Sequence, residues 1–320
     1  MKDIRTTLVV GAGTMGHGFA QIFALNNVPV RLVDETDELL KQARGWIIDN
    51  LNYMLELGEI ERARMESTLG QIQFTTDLKQ AAQEVDYVLE AVFENLDLKK
   101  RIFQQLDVYT HPHAILASNT SSFDINELSA VTVHPERVIG THWYHPPQIT
   151  PCVEVIPSKA TDQQTIQRTM GFMERIGKVP TLCKSAPGFV GNRIQFAMAA
   201  EAFAIVEEGL ATPQEVDQIA TTSFGFRLGV YGPFQICDQA GLDTYHAVYE
   251  YLYDKLKREQ FKPPRVLKKL IKQRRYGLKT QKGFYEYKGG ADEAMKRERD
   301  RKLYARLRLF REEQKAVKKY

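Results

Sequence analysis

Short, β-branched apolar runs alternate with longer segments of helical periodicity through the first half of the chain. This alternation is typical of βαβ units and predicts an α/β domain built on a doubly wound, mainly parallel sheet. The predicted strands cover residues 7–10, 29–33, 87–91, 115–118, 138–143, 153–156 and 179–183. The main predicted helices between them cover residues 14–25, 39–57, 98–109 and 163–176.

The alternation stops at the segment Lys184-Ser-Ala-Pro-Gly188, in which proline restricts the residue before it and glycine relaxes the backbone after it. Residues 189–208 then read as one long, mostly apolar helix, and Thr212-Pro-Gln-Glu215 has the residues of a helix capping box. We therefore predict two domains, an α/β domain in residues 1–184 and an all-helical domain in residues 185–320.

The last thirty residues contain eleven basic and six acidic side chains, with Leu303, Leu307 and Phe310 at helical spacing. This pattern predicts a charged amphipathic helix. Such a helix packs on its own chain or on a dimer partner, or alternatively forms a tail that binds polyanions. The first interpretation is favoured, because isolated apolar positions at this spacing usually pack against protein.

Composition narrows the classes of function. Of the 320 residues, 43% are hydrophobic and 26% are charged, and the formal net charge is +3, so nothing in the overall charge points to a nucleic-acid partner. The three cysteines, Cys152, Cys183 and Cys237, are far apart and lack CxxC spacing. They predict neither a disulfide framework nor a metal site.

The N-terminal residues lead directly into a strand and a glycine loop, a pattern unlike that of a signal peptide. No apolar run reaches the roughly eighteen residues that a membrane span needs. We therefore expect a cytoplasmic protein without a membrane or nucleic-acid partner.

Gly11, Gly13 and Gly16 lie between the first predicted strand and the first predicted helix, which is the context that the GxGxxG dinucleotide-binding spacing requires. Together with Thr14 and Met15, they form a loop that would place a pyrophosphate at the helix N-terminus. The first domain is therefore predicted to be of the Rossmann type.

Asp34 ends the second predicted strand, where its carboxylate can accept hydrogen bonds from both hydroxyls of a ribose. It is followed by Glu35 rather than by an arginine that could pair with a 2′-phosphate. The predicted cofactor is therefore NAD rather than NADP.

Five motifs together resemble the 3-hydroxyacyl-CoA dehydrogenase family over nearly the whole chain. They are the glycine loop, Leu89–Asn95 with Lys99, Ala117–Ser122, Gly140–Pro147 with Val153–Val155, and Pro187–Arg193. Later segments match the family's helical domain in order and spacing, namely Tyr231–Phe234, Gly241–Asp243 and Lys279–Tyr285. The resemblance implies an NAD-dependent dehydrogenase that acts on a secondary alcohol of the 3-hydroxyacyl type and forms a homodimer through its helical domain.

The resemblance places the family's acid/base histidine on His142 and the glutamate that pairs with it on Glu154. The chemistry is reasonable on its own terms, because oxidation of an alcohol needs a base near neutral pH, and a carboxylate can orient and stabilise a histidine in that role. Ser121 and Asn192 fall on the positions that hold the substrate oxygen, although by pattern alone each could equally be a helix cap.

Further cofactor contacts are implied for Glu94, Lys99, Ser121, His145 and Lys279. By pattern alone, Glu94, Lys99 and Lys279 would be interpreted as solvated charges. His145 is a departure, since the family motif has a histidine, two apolar or aromatic residues, and then Asn-Pro, whereas this chain has His-Trp-Tyr-His-Pro. His145 could donate one hydrogen bond as the asparagine does, but it is bulkier and titratable.

A second departure lies on the helix after Asp34, where relatives that use CoA thioesters carry lysines that meet the CoA phosphates. Asn50 keeps the first family position, but the lysine position is Leu57, and residues 51–60 contain Glu56 and Glu59 and no basic residue. Phosphates need positive charge or convergent donors. The substrate is therefore either a hydroxyacyl-CoA or a free small alcohol such as carnitine, gulonate or a hydroxylated pyridine carboxylate.

Two other classes of protein share parts of this pattern. Dehydrogenases of the 3-hydroxyisobutyrate or phosphogluconate type have a similar glycine loop but use a lysine as acid/base, and the pair of His142 and Glu154 argues against them. A lens-crystallin-like protein that binds NAD without turnover would explain His145, but every expected catalytic side chain is present. The enzyme is the favoured interpretation.

Overall fold

The computed structural model describes residues 3–287 and 291–317. Within these residues it contains one sheet of eight strands. The strands are β1 Thr7–Val10, β2 Val30–Val33, β3 Ile72–Thr75, β4 Tyr87–Glu90, β5 Ile115–Ser118, β6 Val138–Trp143, β7 Cys152–Pro157 and β8 Val179–Leu182.

The helices of the first half are α1 Gly16–Leu25, α2 Asp37–Glu56, α3 Arg62–Gly70, α4 Leu78–Ala81, α5 Leu96–Tyr109, α6 Ile125–Ser129 and α7 Gln163–Arg175. Those of the second half are α8 Gly191–Glu207, α9 Pro213–Thr222, α10 Phe224–Leu228, α11 Pro233–Ala240, α12 Leu242–Leu256, α13 Arg265–Lys272 and α14 Ala291–Val317. The predicted fold class, a mainly parallel α/β domain followed by a helical one, is confirmed.

The strand order is β3-β2-β1-β4-β5-β6-β7-β8, and every neighbouring pair is parallel except β6 and β7. Each face of the sheet carries its own apolar cluster, so the central strands are buried on both sides. The chain order reverses between β1 and β4. Ligands of doubly wound sheets bind at such a switch point, beyond the carboxyl ends of the strands.

Several short elements were not predicted. They are β3, α3, α4 and α6. The edge strand β3 is only four residues long and one of its residues is exposed. A strand of that length carries too little periodicity to be recognised without its partner β2.

The chain divides into two compact units, residues 1–199 and residues 200–320. The division falls within α8, whereas the boundary predicted from sequence lies between residues 184 and 185. The boundary between residues 184 and 185 remains a prediction. Among the described residues, no helix is both long and apolar enough to cross a membrane.

The second unit is helical. Its predicted capping box is present, because Thr212 and Glu215 exchange side-chain and backbone hydrogen bonds at the start of α9. The buried carboxylate of Asp238 accepts hydrogen bonds from the backbone N–H groups of Phe284 and Tyr285, and this ties the Lys279–Tyr285 motif to α11. Phe310 of α14 contacts Phe226 edge-on at 6.2 Å between ring centroids. The C-terminal helix thus packs on its own unit, as the favoured interpretation proposed.

Candidate active site

The glycine loop joins β1 to α1 at the switch point of the sheet. Gly11 has φ +101°, and a Cβ there would lie 2.6 Å from the backbone oxygen of Ala91 after β4. A Cβ on Gly16 would overlap the carbonyl of Gly11, whereas one on Gly13 would meet no atom within 4 Å. Two of the glycines therefore allow the turn and its close packing. Gly13 leaves space in front of the loop for a ligand.

A cavity of about 680 Å³ opens in front of this loop, within the range of cofactor sites. Most of the predicted cofactor residues line it, namely Gly11, Gly13, Thr14, Met15, Asp34, Glu94, Lys99 and Ser121. Asp34 accepts hydrogen bonds from the backbone N–H groups of Ala12 and Glu35 at 2.6 and 2.7 Å, which fixes its carboxylate at the cavity wall. No arginine is among the lining residues. The chemistry of these residues fits NAD.

Lys99 lies at the inner wall of the cavity and is only 1% exposed, so its interpretation as a solvated charge is wrong. Its ammonium donates to Glu90 at 2.7 Å and to the carbonyl of Val92 at 3.2 Å, and it lies 3.2 Å from a carboxylate oxygen of Glu94. The Glu90 carboxylate is also buried and accepts from the Ser118 hydroxyl at 2.6 Å. These contacts use the three N–H groups of the ammonium. Lys99 thus ties α5 to the end of β4, and Glu90 links that end to β5.

Glu94 organises the loop after β5. Its Oε1 accepts hydrogen bonds from the hydroxyls of Thr120 and Ser122 and from the backbone N–H of Ser121, at 2.6 to 2.9 Å. Burial alone would raise the pKa of Glu94, but these bonds and the Lys99 ammonium outweigh it and lower the pKa. The side-chain amide of Asn192 donates to the Ser121 carbonyl at 3.3 Å. Ser121 and Asn192, which are 71 residues apart in sequence, therefore lie within hydrogen-bonding distance of each other.

His142 and Glu154 are direct neighbours across the antiparallel strands β6 and β7. The Nδ1 of His142 donates to Oε2 of Glu154 at 2.8 Å, and both side chains are buried. The carboxylate therefore orients the ring and selects the tautomer that carries hydrogen on Nδ1. Nε2 is then the ring nitrogen that can exchange a proton with a substrate.

The segment before α8 completes the surroundings of this pair. Phe189 has φ +48°, an uncommon conformation for a bulky residue, and its buried ring lies 5.5 Å from the His142 ring. The turn directs the next two backbone N–H groups, those of Val190 and Gly191, at Oε1 of Glu154, at 2.9 and 3.0 Å. Pro187–Arg193 thus acts through its backbone, which the motif alone did not reveal.

The Glu154 carboxylate is buried, and hydrogen-bond donors of the protein surround it in place of water. Burial alone would raise its pKa, but hydrogen bonds from His142, Tyr144, Gly191 and Val190 outweigh burial and lower the pKa to about 2. The carboxylate is therefore ionised throughout the physiological pH range. It can stabilise a positive charge on His142.

Two predicted residues lie elsewhere. His145 is exposed and is not among the residues that line the cavity. Its loop is fastened by buried Lys178, whose ammonium donates to the carbonyls of Pro147 and Thr150 at 2.6 and 2.8 Å. Lys279 belongs to the second unit, where it is paired with Asp243. The cofactor contacts implied for His145 and Lys279 remain predictions.

Glu90, Tyr144, Lys178 and Phe189 also belong to this region, although none of them was predicted to do so. Glu90, Tyr144 and Phe189 had a signal in the sequence, because each lies within a motif that was quoted for other residues. Lys178 and Glu90 read as ordinary charges at strand ends. Their roles depend on partners that are 9 to 31 residues away.

Comparison with known proteins adds to this geometry. Residues 6–186 match the family profile described as 3-hydroxyacyl-CoA dehydrogenase, NAD binding domain, and residues 188–287 match the C-terminal domain of the same family. A probable 3-hydroxybutyryl-CoA dehydrogenase of Deinococcus radiodurans is 37% identical over 87% of this chain and 99% of its own length. The 5-formyl-3-hydroxy-2-methylpyridine 4-carboxylate 5-dehydrogenase of Mesorhizobium japonicum is 33% identical over 96% of this chain and 98% of its own.

Solved structures lead to the same conclusion. A 3-hydroxyacyl-CoA dehydrogenase from Archaeoglobus fulgidus superposes with a TM-score of 0.79 at 33% identity, over 96% of this chain and 99% of that one. A pyridine carboxylate 5-dehydrogenase described as an NAD⁺-dependent dismutase gives a TM-score of 0.73 at 31% identity, over 96% and 98% of the two chains. The chain belongs to the 3-hydroxyacyl-CoA dehydrogenase family, as its motifs indicated, and is an NAD-dependent oxidoreductase of that type.

Proposed function

We propose that the protein oxidises a secondary alcohol, or reduces the matching ketone, with His142 as the acid/base and Glu154 as its partner. The observation that carries this proposal is the buried contact of 2.8 Å between Nδ1 of His142 and Oε2 of Glu154. Such a pair keeps a proton-accepting nitrogen ready on the other side of the ring. NAD, when bound, supplies the hydride acceptor for oxidation of the alcohol carbon.

During oxidation, Nε2 of His142 takes the hydroxyl proton, and the ring becomes an imidazolium. Glu154 stabilises that charge because it is ionised and is already held beside Nδ1 by its other donors. In the reverse direction the imidazolium returns the proton to the carbonyl oxygen. Ser121 and Asn192 support this step by donating to the substrate oxygen as negative charge develops on it.

The acid/base role is tested by replacing His142 with Gln. We expect turnover to fall by on the order of a hundred-fold or more, while the affinity for NADH, measured by fluorescence titration, stays nearly unchanged. The control is His113→Gln, which alters an exposed histidine outside the cavity. Turnover close to that of the unmodified protein in His142→Gln would contradict the assignment.

The substrate class has two candidates, and one region of the structure favours a free alcohol over a CoA thioester. Leu57, at the C-terminal end of α2, is 58% exposed and is flanked by the exposed carboxylates of Glu56 and Glu59. A small cavity of about 180 Å³ between α1 and α2 contains an acidic residue and no lysine or arginine, its lining being Thr14, His17, Trp46, Asp49 and Asn50. These surfaces offer little to a phosphate.

A relative named for a free pyridine carboxylate supports the free substrate as a candidate, namely the dehydrogenase of Mesorhizobium japonicum, which is 33% identical over 96% of this chain. The test compares specificity constants for 3-hydroxybutyryl-CoA, free 3-hydroxy acids, carnitine and pyridine alcohols. We expect a free acid to give the highest value. Efficient reduction of acetoacetyl-CoA, with no free substrate competing, would instead establish the CoA thioester.

The Leu57→Lys variant sharpens the comparison. A well-placed ammonium contributes roughly 1.5 to 3 kcal/mol to phosphate binding, so the specificity constant for the thioester should rise by about tenfold or more. The constant for free acids should not change. Equal effects on both substrates would show that Leu57 does not lie beside a phosphate.

We further propose that α8 contributes to a homodimer. Large apolar side chains on this helix are exposed in the single chain, including Phe196, Met198 and Phe203 at 67%, 49% and 69%. Exposure of these apolar side chains to water is unfavourable. The same face of α8 in a second copy of the chain offers an apolar surface that can cover them symmetrically. Light scattering should give the mass of a dimer at micromolar concentration, and a monomer would contradict the proposal.

A further inference from the structure

Tyr144 lies just beyond the end of β6, two residues after His142, and its side chain turns back to the catalytic pair. The two rings are 4.8 Å apart between centroids and tilted by 58°. The hydroxyl of Tyr144 donates to Oε2 of Glu154 at 2.8 Å. This is the same oxygen that accepts from Nδ1 of His142, also at 2.8 Å. Histidine and tyrosine therefore share one carboxylate oxygen.

Gly191 faces the Tyr144 hydroxyl, which fits there only because residue 191 has no side chain. A Cβ on Gly191 would overlap the Tyr144 hydroxyl and would lie 2.7 Å from the ring carbon that bears it. The φ of Gly191 is not positive, so the backbone conformation does not explain the glycine. The space that the Tyr144 hydroxyl occupies explains why residue 191 is a glycine. Tyr144 and Gly191 thus form a matched pair beside Glu154.

The Glu154 carboxylate has four donors at 2.8 to 3.0 Å. Oε1 accepts from the backbone N–H groups of Val190 and Gly191, and Oε2 accepts from His142 and Tyr144. An ionised carboxylate has about four lone-pair directions, so these donors satisfy it. Two of these donors are backbone N–H groups, and a third is the ring of His142 itself. Among these four short contacts, the Tyr144 hydroxyl is the one donor other than His142 that comes from a side chain.

We propose that Tyr144 is a positioning residue for the acid/base, acting through Glu154. This inference rests on the proposed function of His142. The hydroxyl holds Oε2 at a fixed place and takes up part of its negative charge. Oε2 consequently stabilises the imidazolium form of His142 less than an unshared carboxylate would, and the ring releases its proton more readily.

Other titratable groups around the carboxylate do not provide this function. The thiol of Cys183 lies 4.0 Å from Oε1, and Cys152 is on the same strand as Glu154. Burial, and then the Glu154 charge, raise the pKa of both thiols, to about 11 for Cys183. Burial and the Glu154 carboxylate also raise the pKa of Tyr144. All three groups are therefore neutral near physiological pH, and only Tyr144 donates at a short distance.

The test is Tyr144→Phe, which removes the hydroxyl and keeps the ring. We expect the midpoint of the pH profile of kcat/KM for alcohol oxidation to move up by about half a unit or more, because Glu154 then holds the imidazolium more tightly. The pH-independent limit of kcat should fall by about three- to tenfold. The matched control is Tyr87→Phe, at a position on β4. This substitution removes a buried hydroxyl that lies 3.1 Å from the hydroxyl of Thr141, the residue before His142 on β6. It should leave the midpoint unchanged.

A second measurement does not depend on turnover. The ring signal of His142, assigned by its absence from His142→Gln, is titrated by NMR in the unmodified protein and in both tyrosine variants. Its midpoint should move to higher pH in Tyr144→Phe only. A midpoint that stays in place or moves down in Tyr144→Phe would overturn the inference, since a merely structural role changes stability without a directed shift.

Gly191→Ala provides an independent perturbation, because the new methyl group displaces the hydroxyl while Tyr144 remains. It should reproduce the upward shift, and it should add no further shift in the Tyr144→Phe background. Gly45→Ala, at a site with no atom within 4 Å of the new methyl group, is the control for the substitution itself. An additive shift in the double variant would show that Gly191 acts independently of Tyr144.

The two proposals fail in distinguishable ways. An active His142→Gln variant would refute the acid/base assignment itself. An inactive His142→Gln variant together with an unshifted midpoint in Tyr144→Phe would refute only the role of Tyr144.

Discussion

The glycine loop and the His142–Glu154 centre hold their functional groups by different means. The loop is made by consecutive residues, and its shape depends on missing side chains at Gly11 and Gly16. The centre is made by side chains and N–H groups from three segments that are 10 to 37 residues apart. The loop should therefore fail as a whole when it is obstructed. The centre should instead lose its properties one donor at a time.

The largest effect is expected from Gly16→Ala, which would break the loop. Its methyl group overlaps the Gly11 carbonyl, so the turn must open and the space in front of Gly13 changes shape. NADH affinity, measured by fluorescence titration, should fall by on the order of a hundred-fold, with a lower melting temperature. Gly45→Ala is again the control, and unaltered NADH binding in Gly16→Ala would contradict this account of the loop.

A smaller effect is expected from Glu154→Gln, because it alters one partner and preserves the shape of the centre. Turnover should fall by about ten- to a hundred-fold, and the midpoint of the pH profile for oxidation should move down, opposite to Tyr144→Phe. NADH affinity should stay the same. A shift in the same direction in both variants would contradict the shared-oxygen arrangement.

Glu154→Gln also has a consequence for stability. The pKa of Glu154 is lowered from 4.5 to about 2, so the ionised carboxylate stabilises the fold above about pH 4.5, and this contribution is lost as the pH falls toward 2. Denaturant titrations over that range should show a steeper loss of unfolding free energy in the unmodified protein than in the variant. If the unfolding free energies of the two proteins changed in parallel with pH, the ionised Glu154 carboxylate would not stabilise the fold.

The smallest effect concerns Asp34, which fixes Ala12 of the glycine loop and lines the cofactor cavity. NAD should be preferred over NADP by a wide margin in specificity constant, since the carboxylate repels a 2′-phosphate. Asp34→Asn keeps an acceptor for the loop and removes the charge, and should reduce the preference by about tenfold. Equal use of both cofactors by the unmodified protein would refute the interpretation of this strand end.

Features that depend on adjacent residues were predicted from the sequence more accurately than features that depend on contacts between distant segments. The parallel sheet, the helical second half and the glycine loop were predictable, because each depends on a pattern within one short stretch. The edge strand β3 and the short helices α3, α4 and α6 were missed, because four to nine residues carry little periodicity. Lys99 was misjudged by pattern because burial beside Glu90 depends on β4 and α5 coming together.

The residue types at the His142–Glu154 centre were available from the sequence, since both residues could be named from their motifs. Their contact required the antiparallel register of β6 and β7, which no local pattern specifies. The strained backbone of Phe189 and the fit of Tyr144 against Gly191 were decided by tertiary structure alone. Local periodicity and turn chemistry are properties of adjacent residues, whereas hydrogen bonds between distant segments form only where packing of the whole unit brings donors and acceptors within about 3 Å of each other.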